Sequence, residues 1–391
     1  MRNSPLLLAL LFALALALAP AGAPRADSPE ERDFRTASNA FESKLFSHAH
    51  RWFLIFVQKY PQSPRLPEAY LKMGVCSYNL EEYERARGEL KAVLDRFPYS
   101  EAVLDARYWL GEVELAEGNY AKAVEYFRRV LDSPVKTEYD ERATLSLAYA
   151  LFRLGNPSAA AAELDRLARS RKRISDADRF DFIYGMALFD LGRYEQALAR
   201  FRAVLDRSGK GPYAARSLFW LAECLYKLGR FDEALRAYYE MRRRTDDPEM
   251  LARVLYGLGW AYFKTGDFSD SLAAFRELLR FRPASPLVPV ATFKIAENLY
   301  RLGDYRAAVR RFRRLLSHPD YGDSAAFYIG ECLYRMKRYR AALSRLMAVP
   351  PDCGRPLRAL VLRDIGLCLY ELNRFGESYA AFRAMYAAAL T

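Results

Sequence analysis

Histidine is nearly absent from this chain: three residues in 391, His48, His50 and His318. The first two are two apart, so they do not share a helix face, and no catalytic constellation can be assembled around any of them. A phosphate-binding loop is missing as well. Gly209-Lys210-Gly211 lacks the spaced upstream glycine and the following Ser or Thr, and no glycine-rich dinucleotide turn follows a strand. These absences predict a protein that is not an enzyme and has no cofactor and no metal. Cysteine is sparse too, five in all, and none precedes Cys76. That leaves no lipid-anchor cysteine on a mature N-terminus. A long hydrophobic run is also lacking. The apolar stretch at residues 6–19 is short of the roughly 20 residues needed to cross a bilayer core of about 30 Å.

What that stretch does resemble is the core of a secretory signal. Arg2 precedes it, and residues 20–26 are small and rich in helix breakers. Residues 1–26 are therefore read as a signal peptide, and the mature chain is expected in the periplasm.

The dominant positive feature is an aromatic on a fixed grid. Phe46, Tyr83, Tyr120, Tyr194, Phe231, Phe268 and Tyr305 fall on a 37-residue spacing, with Pro157 in the one slot lacking a ring. Tyr339 and Phe375 continue it at intervals of 34 and 36. A period in this range means an array of small helical units. Nine residues before each grid position stands Gly or Ala, from Ala37 to Gly366. Three after it stands Ala or Ser, and seven after it a large apolar residue such as Leu90, Phe127 or Phe201. Spacings of three, four and seven are helical. Leu-Gly-Arg-Tyr (191–194), Leu-Gly-Arg-Phe (228–231) and Leu-Gly-Asp-Tyr (302–305) place a glycine stop before each second helix.

Leu-Gly-Arg-Tyr-Glu-Gln-Ala-Leu (191–198) and Leu-Gly-Arg-Phe-Asp-Glu-Ala-Leu (228–235) resemble the core motif of the tetratricopeptide repeat. The resemblance covers about residues 30–391. It implies an all-α fold, a right-handed superhelical solenoid of about ten helical hairpins, each burying its apolar faces on its neighbours. The longer period, with Lys-Tyr-Pro-Gln-Ser-Pro (59–64) and Arg-Phe-Pro-Tyr-Ser (96–100) between units, is similar to repeats of periplasmic envelope proteins of the BamD and Tol-Pal coordinator type. Pro157, the alanine run 159–162 and the basic segment 169–173 predict weakened packing and a joint, dividing the array into residues 27–173 and 174–391. A stiff proline-rich loop at 349–356 is a second irregularity.

Cys76, Cys224, Cys332 and Cys368 share one register, seven before the grid position. Equivalent places on successive helices lie about 8–10 Å apart, beyond the roughly 7 Å between Cα atoms that a disulfide spans. They read as buried free thiols, and Cys353 has no obvious mate.

In arrays of this kind the first helix of each hairpin lines the concave face. Five before the grid, nine of ten units carry an aromatic: Phe41, Tyr78, Phe152, Phe189, Tyr226, Phe263, Tyr300, Tyr334 and Tyr370. Arg153, Lys227, Lys264, Arg301 and Arg335 directly follow five of them, and Glu112, Glu223, Glu297 and Glu331 stand three residues before four units' copies of that position. Two readings stay open: a partner groove, or rings that only pack the inner helices. The Asn required by a carboxylate clamp is missing at Glu223. The expected function is a scaffold for protein partners in the cell envelope, the alternative a glycan-binding module. The net charge of +12 points to acidic partners or lipid headgroups. Nucleic acid and more than peripheral membrane contact are not expected. The last helix, residues 375–391, is apolar where a solenoid usually ends in a polar cap, so a second copy or a partner is expected to cover it.

Overall fold

Repeated apolar spacing of three, four and seven should give helices throughout, and it does. The computed structural model describes residues 28–170, 173–207, 209–282 and 286–390; the expected signal peptide lies outside them. Among the described residues there are twenty α-helices, one 3₁₀ turn (Arg313–Leu315) and no strand. The chain divides into two compact units, Met1–Lys172 and Arg173–Thr391.

The first unit holds four hairpins: α1 (Pro29–Glu42) with α2 (Phe46–Lys59), α3 (Leu66–Asn79) with α4 (Tyr83–Arg96), α5 (Ala102–Ala116) with α6 (Tyr120–Leu131), and α7 (Asp140–Arg153) with α8 (Pro157–Ser170). The second holds six. Its first three are α9 (Ala177–Asp190) with α10 (Tyr194–Arg207), α11 (Ala214–Lys227) with α12 (Phe231–Arg244), and α13 (Pro248–Thr265) with α14 (Phe268–Phe281). Then come α15 (Val288–Arg301) with α16 (Tyr305–Phe312), α17 (Gly322–Arg335) with α18 (Tyr339–Met347), and α19 (Arg355–Glu371) with α20 (Phe375–Leu390).

Every grid position is the first residue of a second helix. Two residues before it the backbone turns left-handed in all ten hairpins. Gly118, Gly155, Gly192, Gly229, Gly266 and Gly303 do this without a Cβ penalty, whereas Lys44, Glu81, Lys337 and Asn373 do it with one. The turn saves the orphan carbonyls of the first helix: the amides of Gly192 and Arg193 donate to the carbonyls of Phe189 and Leu188, each at 2.9 Å. Pro157 is not the defect that the grid suggested. Proline is favoured at the first helical position; α8 starts there, and the Asn156 side chain accepts from the Ala159 amide at 3.1 Å.

The core of each hairpin is a pair set nine before and seven after the grid. A Cβ on Gly74 would come within 2.5 Å of Leu90, on Gly111 within 2.6 Å of Phe127, and on Gly185 within 2.7 Å of Phe201. The bulky partner thus occupies the volume that the small residue vacates, and Phe53, Leu90, Phe127, Leu164, Phe201 and Phe275 are fully buried. Cys76, Cys224, Cys332 and Cys368 are buried free thiols, which burial pushes up to about 12. Cys353, half-buried, packs with Leu357 on the last core cluster of the second unit. The final helix ends that unit with its rings uncovered: Tyr379 is 71% and Tyr386 65% exposed.

Candidate partner-binding face

The nine aromatics five before the grid sit in the last turn of the first helices, where the left-handed turn brings them against the ring that opens the second helix. Phe41 meets Phe46, Tyr78 meets Tyr83, Phe189 meets Tyr194 and Tyr226 meets Phe231, at ring separations of 5.2–6.1 Å. Phe263, Tyr300, Tyr334 and Tyr370 repeat the contact with Phe268, Tyr305, Tyr339 and Phe375 at 5.4–5.7 Å. Pro157 offers no ring to Phe152. The grid aromatics are accordingly not core residues; all but the exposed Phe375 and Pro157's slot are half-buried, and each except Tyr120, which faces Leu115 in sequence register, is one half of a ring pair at the hairpin tip.

The following hairpin then covers most of these pairs with the residue eleven before its own grid position. Trp109 lies 5.2 Å from Tyr78, Trp220 4.9 Å from Phe189, and Tyr328 5.6 Å from Tyr300. Where that residue is a lysine it stacks as a cation, Lys72 at 5.2 Å over Phe41 and Lys294 at 4.3 Å over Phe263.

At one ring pair the covering position holds a glycine. Opposite Tyr226 the covering position is Gly257, and a cavity of about 240 Å³ opens there, lined by Glu223, Tyr226, Lys227, Tyr238, Tyr256, Gly257 and Trp260. Gly257 is needed for a second reason: a Cβ would fall 2.5 Å from Tyr238, whose hydroxyl donates to Glu223 Oε1 at 2.5 Å. Burial raises the Glu223 carboxyl, against the pull of the Tyr238 hydroxyl and of Lys227. The site therefore combines four aromatic side chains, a desolvated carboxyl and one rim ammonium.

The model for the tetratricopeptide repeat matches residues 71–134, 145–212, 185–248 and 293–352, and a second tetratricopeptide model matches 252–285. The chain belongs to the tetratricopeptide repeat family. Among solved structures it is similar to the C-terminal part of a tetratricopeptide protein from Cytophaga hutchinsonii, at 17% identity over 66% of this chain and 98% of that one, TM-score 0.49. A tetratricopeptide protein from Parabacteroides merdae follows at 10% identity, 69% and 98% coverage and TM-score 0.47. PilF of Pseudomonas aeruginosa follows at 20%, 60% and 96%, and 0.46. No curated protein matches the chain in sequence.

Within this tetratricopeptide array the predicted cations reach backwards. Arg153 lies 4.5 Å over Tyr120 and donates to the Tyr149 hydroxyl at 2.8 Å; Arg301 lies 6.0 Å over Phe268; Arg335 is hydrogen-bonded to Tyr300. They pin neighbouring hairpins. Lys227 and Lys264 remain exposed. The glutamates also have partners. Glu112 accepts from the Ser146 hydroxyl, Glu297 pairs with Lys294 at 2.7 Å, and Glu331 faces Arg363 at 3.5 Å.

Of the residues predicted as a groove, Tyr226 and Lys227 share the cavity, Tyr370 is 58% exposed, and Tyr78, Phe189, Phe263 and Tyr300 are covered by the next hairpin. Tyr256, Gly257 and Trp260 were not foreseen. Their signal was present, a glycine in a column that holds Trp109, Trp220 and Tyr328 as well as Lys72 and Lys294, but the column gains meaning only once its contact across hairpins is known. Among the described residues no group of His, Cys, Asp or Glu could hold a metal ion.

Proposed function

We propose that this tetratricopeptide protein is a non-catalytic scaffold, exported to the periplasm, that holds a polypeptide partner of the cell envelope against the first helices of its second unit. The observation carrying this reading is the cavity beside the half-buried ring of Tyr226. Arrays of this family present extended binding surfaces, and most ring pairs here are capped by the chain itself. The Gly257 gap leaves a space of about 240 Å³, the size of one large side chain, with aromatic walls for an apolar body and Glu223 with Lys227 for polar orientation. A second contact is assigned to α20, whose exposed Tyr379 and Tyr386 would be covered by a second copy or an envelope partner.

A photo-crosslinking amino acid in place of Lys227, in cells producing the full chain, tests the reading. The expected result is one dominant crosslinked polypeptide, exported from the cytoplasm, whose capture falls at least tenfold on Trp260→Leu. Capture of cytoplasmic proteins only would overturn the export, and retention on peptidoglycan without a crosslinked protein would overturn the polypeptide. Sedimentation of the chain lacking residues 375–391 tests the second contact; an unchanged profile removes it.

A further inference from the structure

The outer side of the second unit carries charge that the polypeptide-binding reading does not use. Residues 305–316, covering α16 and the 3₁₀ turn, contain five arginines and no acid, and α18 also has none. Arg310, Arg313 and Arg314 are exposed and Arg311 is half-buried, with Arg276 exposed on the preceding second helix, α14. The one carboxylate beside Arg276, Glu277, is turned to Arg242 at 2.8 Å.

Crowding of like charge is unfavourable unless an anion relieves it. Arg311 shows the strain: burial and then Arg314, Arg276 and Arg310 hold it below the ordinary arginine value, and each charge acting on it is another arginine. Several arginines elsewhere among the described residues are paired, as Arg87 is with Glu84 and Glu114, or Arg207 with Asp178 and Asp181. Guanidinium groups in such a cluster match phosphate oxygens in geometry and charge.

Two further observations select the source of phosphate. Phe281 and Met347, ending the second helices on either side of α16, are 46% and 68% exposed. Apolar tips among cations suit the boundary between headgroups and acyl chains, whereas a nucleic-acid strand in water gains nothing from them. Among the described residues no helix is long and apolar enough to cross a membrane. We propose that the arginine face of α14, α16 and the 3₁₀ turn docks on anionic phospholipid headgroups, with Phe281 and Met347 entering the interface.

The test is partition of the purified full chain onto vesicles of phosphatidylcholine, alone or mixed with phosphatidylglycerol. Each basic residue near an anionic surface contributes about fivefold. Arg310→Gln/Arg311→Gln/Arg314→Gln should therefore lower partition onto the mixed vesicles on the order of a hundredfold, and the exposed pair Arg310→Gln/Arg314→Gln about thirtyfold. Lys122→Gln/Arg128→Gln/Arg129→Gln removes the same charge from the first unit and should change partition less than about twofold. Phe281→Ser/Met347→Ser should lower it further. Equal loss in both triple variants would reduce the effect to net charge and overturn the site. Equal binding to pure phosphatidylcholine would assign it to the apolar residues 6–19. Duplex DNA bound more tightly than the mixed vesicles would replace lipid with nucleic acid, and half-loss at low millimolar inorganic phosphate would replace it with a free anion.

Discussion

Two glycine-to-alanine changes in the first unit should move stability in opposite directions. Gly88 lies on the exposed side of α4, and a Cβ there would meet nothing within 4 Å. Its replacement by alanine gains helix propensity of about 1 kcal/mol. Gly111 lies in α5, where a Cβ would be 2.6 Å from Phe127 Cε1 and 2.9 Å from Cδ1 and Cζ. Alanine gains the same propensity there, but a fully buried ring must move by most of an ångström. Overpacking of this kind costs about 1–3 kcal/mol. The hairpins with Ala37 opposite Phe53 and Ala296 opposite Phe312, all buried, show that the helices can separate to accept a methyl group. That puts the cost near the middle of the range, about 2 kcal/mol. Gly111→Ala should thus lose about 1 kcal/mol and Gly88→Ala gain about 1 kcal/mol. Adding Phe127→Leu should recover part of the Gly111→Ala loss, since Ala148 with Leu164 is a combination the array already holds. A repeat array need not unfold in one step, so the measurement is local: hydrogen–deuterium exchange of α5 and α6 read by mass spectrometry. If Gly111→Ala protects those helices as much as Gly88→Ala protects α4, close approach is not what holds the hairpins together.

Glu81 and Lys337 hold positive φ values of 62° and 58°, so Glu81→Gly and Lys337→Gly should each stabilise by about 1 kcal/mol, and Gly229→Ala should destabilise by about 1–2 kcal/mol in thermal melts. Asp105 is raised to about 6 by burial and by Glu138. Its carboxyl is protonated in both states near pH 3.5, and as pH rises through 6 the folded state must ionise it in an unfavourable place. Stability present at low pH is therefore lost towards neutrality. Allowing for partial exposure, Asp105→Asn should gain about 1–2 kcal/mol at pH 7.5 and nothing near pH 3.5 in urea titrations. A thiol reagent added to the native chain should modify Cys353 first, with Cys76, Cys224, Cys332 and Cys368 reacting only on unfolding; fast reaction of two or more thiols would contradict the register.

Much of this fold was legible because each structural demand recurs ten times. The grid of aromatics located the start of each second helix, and the Gly or Ala opposite Leu, Phe or Tyr located the close helix approach. The candidate face was legible only in part. Tyr226 and Lys227 were found from their column. That the same column in Tyr78, Phe189 and Tyr300 is closed by Trp109, Trp220 and Tyr328 could not be read, because those pairs are 28 to 31 residues apart and meet only when hairpins stack. Pro157 was misread for a related reason. A missing ring looks like a failed repeat until the position proves to be a first helical residue, where proline is at home.

The sequence alone determined the helical hairpin, the register of its turn and the burial of four thiols. Each follows from local spacing or from composition. Tertiary structure alone decided which rings are covered, that Arg153, Arg301 and Arg335 reach back to the preceding hairpin, and that a cavity opens between Gly257 and Tyr226. It also decided that Arg276 of α14 and Arg310, Arg313 and Arg314 on α16 and the 3₁₀ turn stand exposed. These properties belong to contacts between units. A repeat repeats its interior, whereas what lies between two units depends on both, and one substitution on either side opens or closes it.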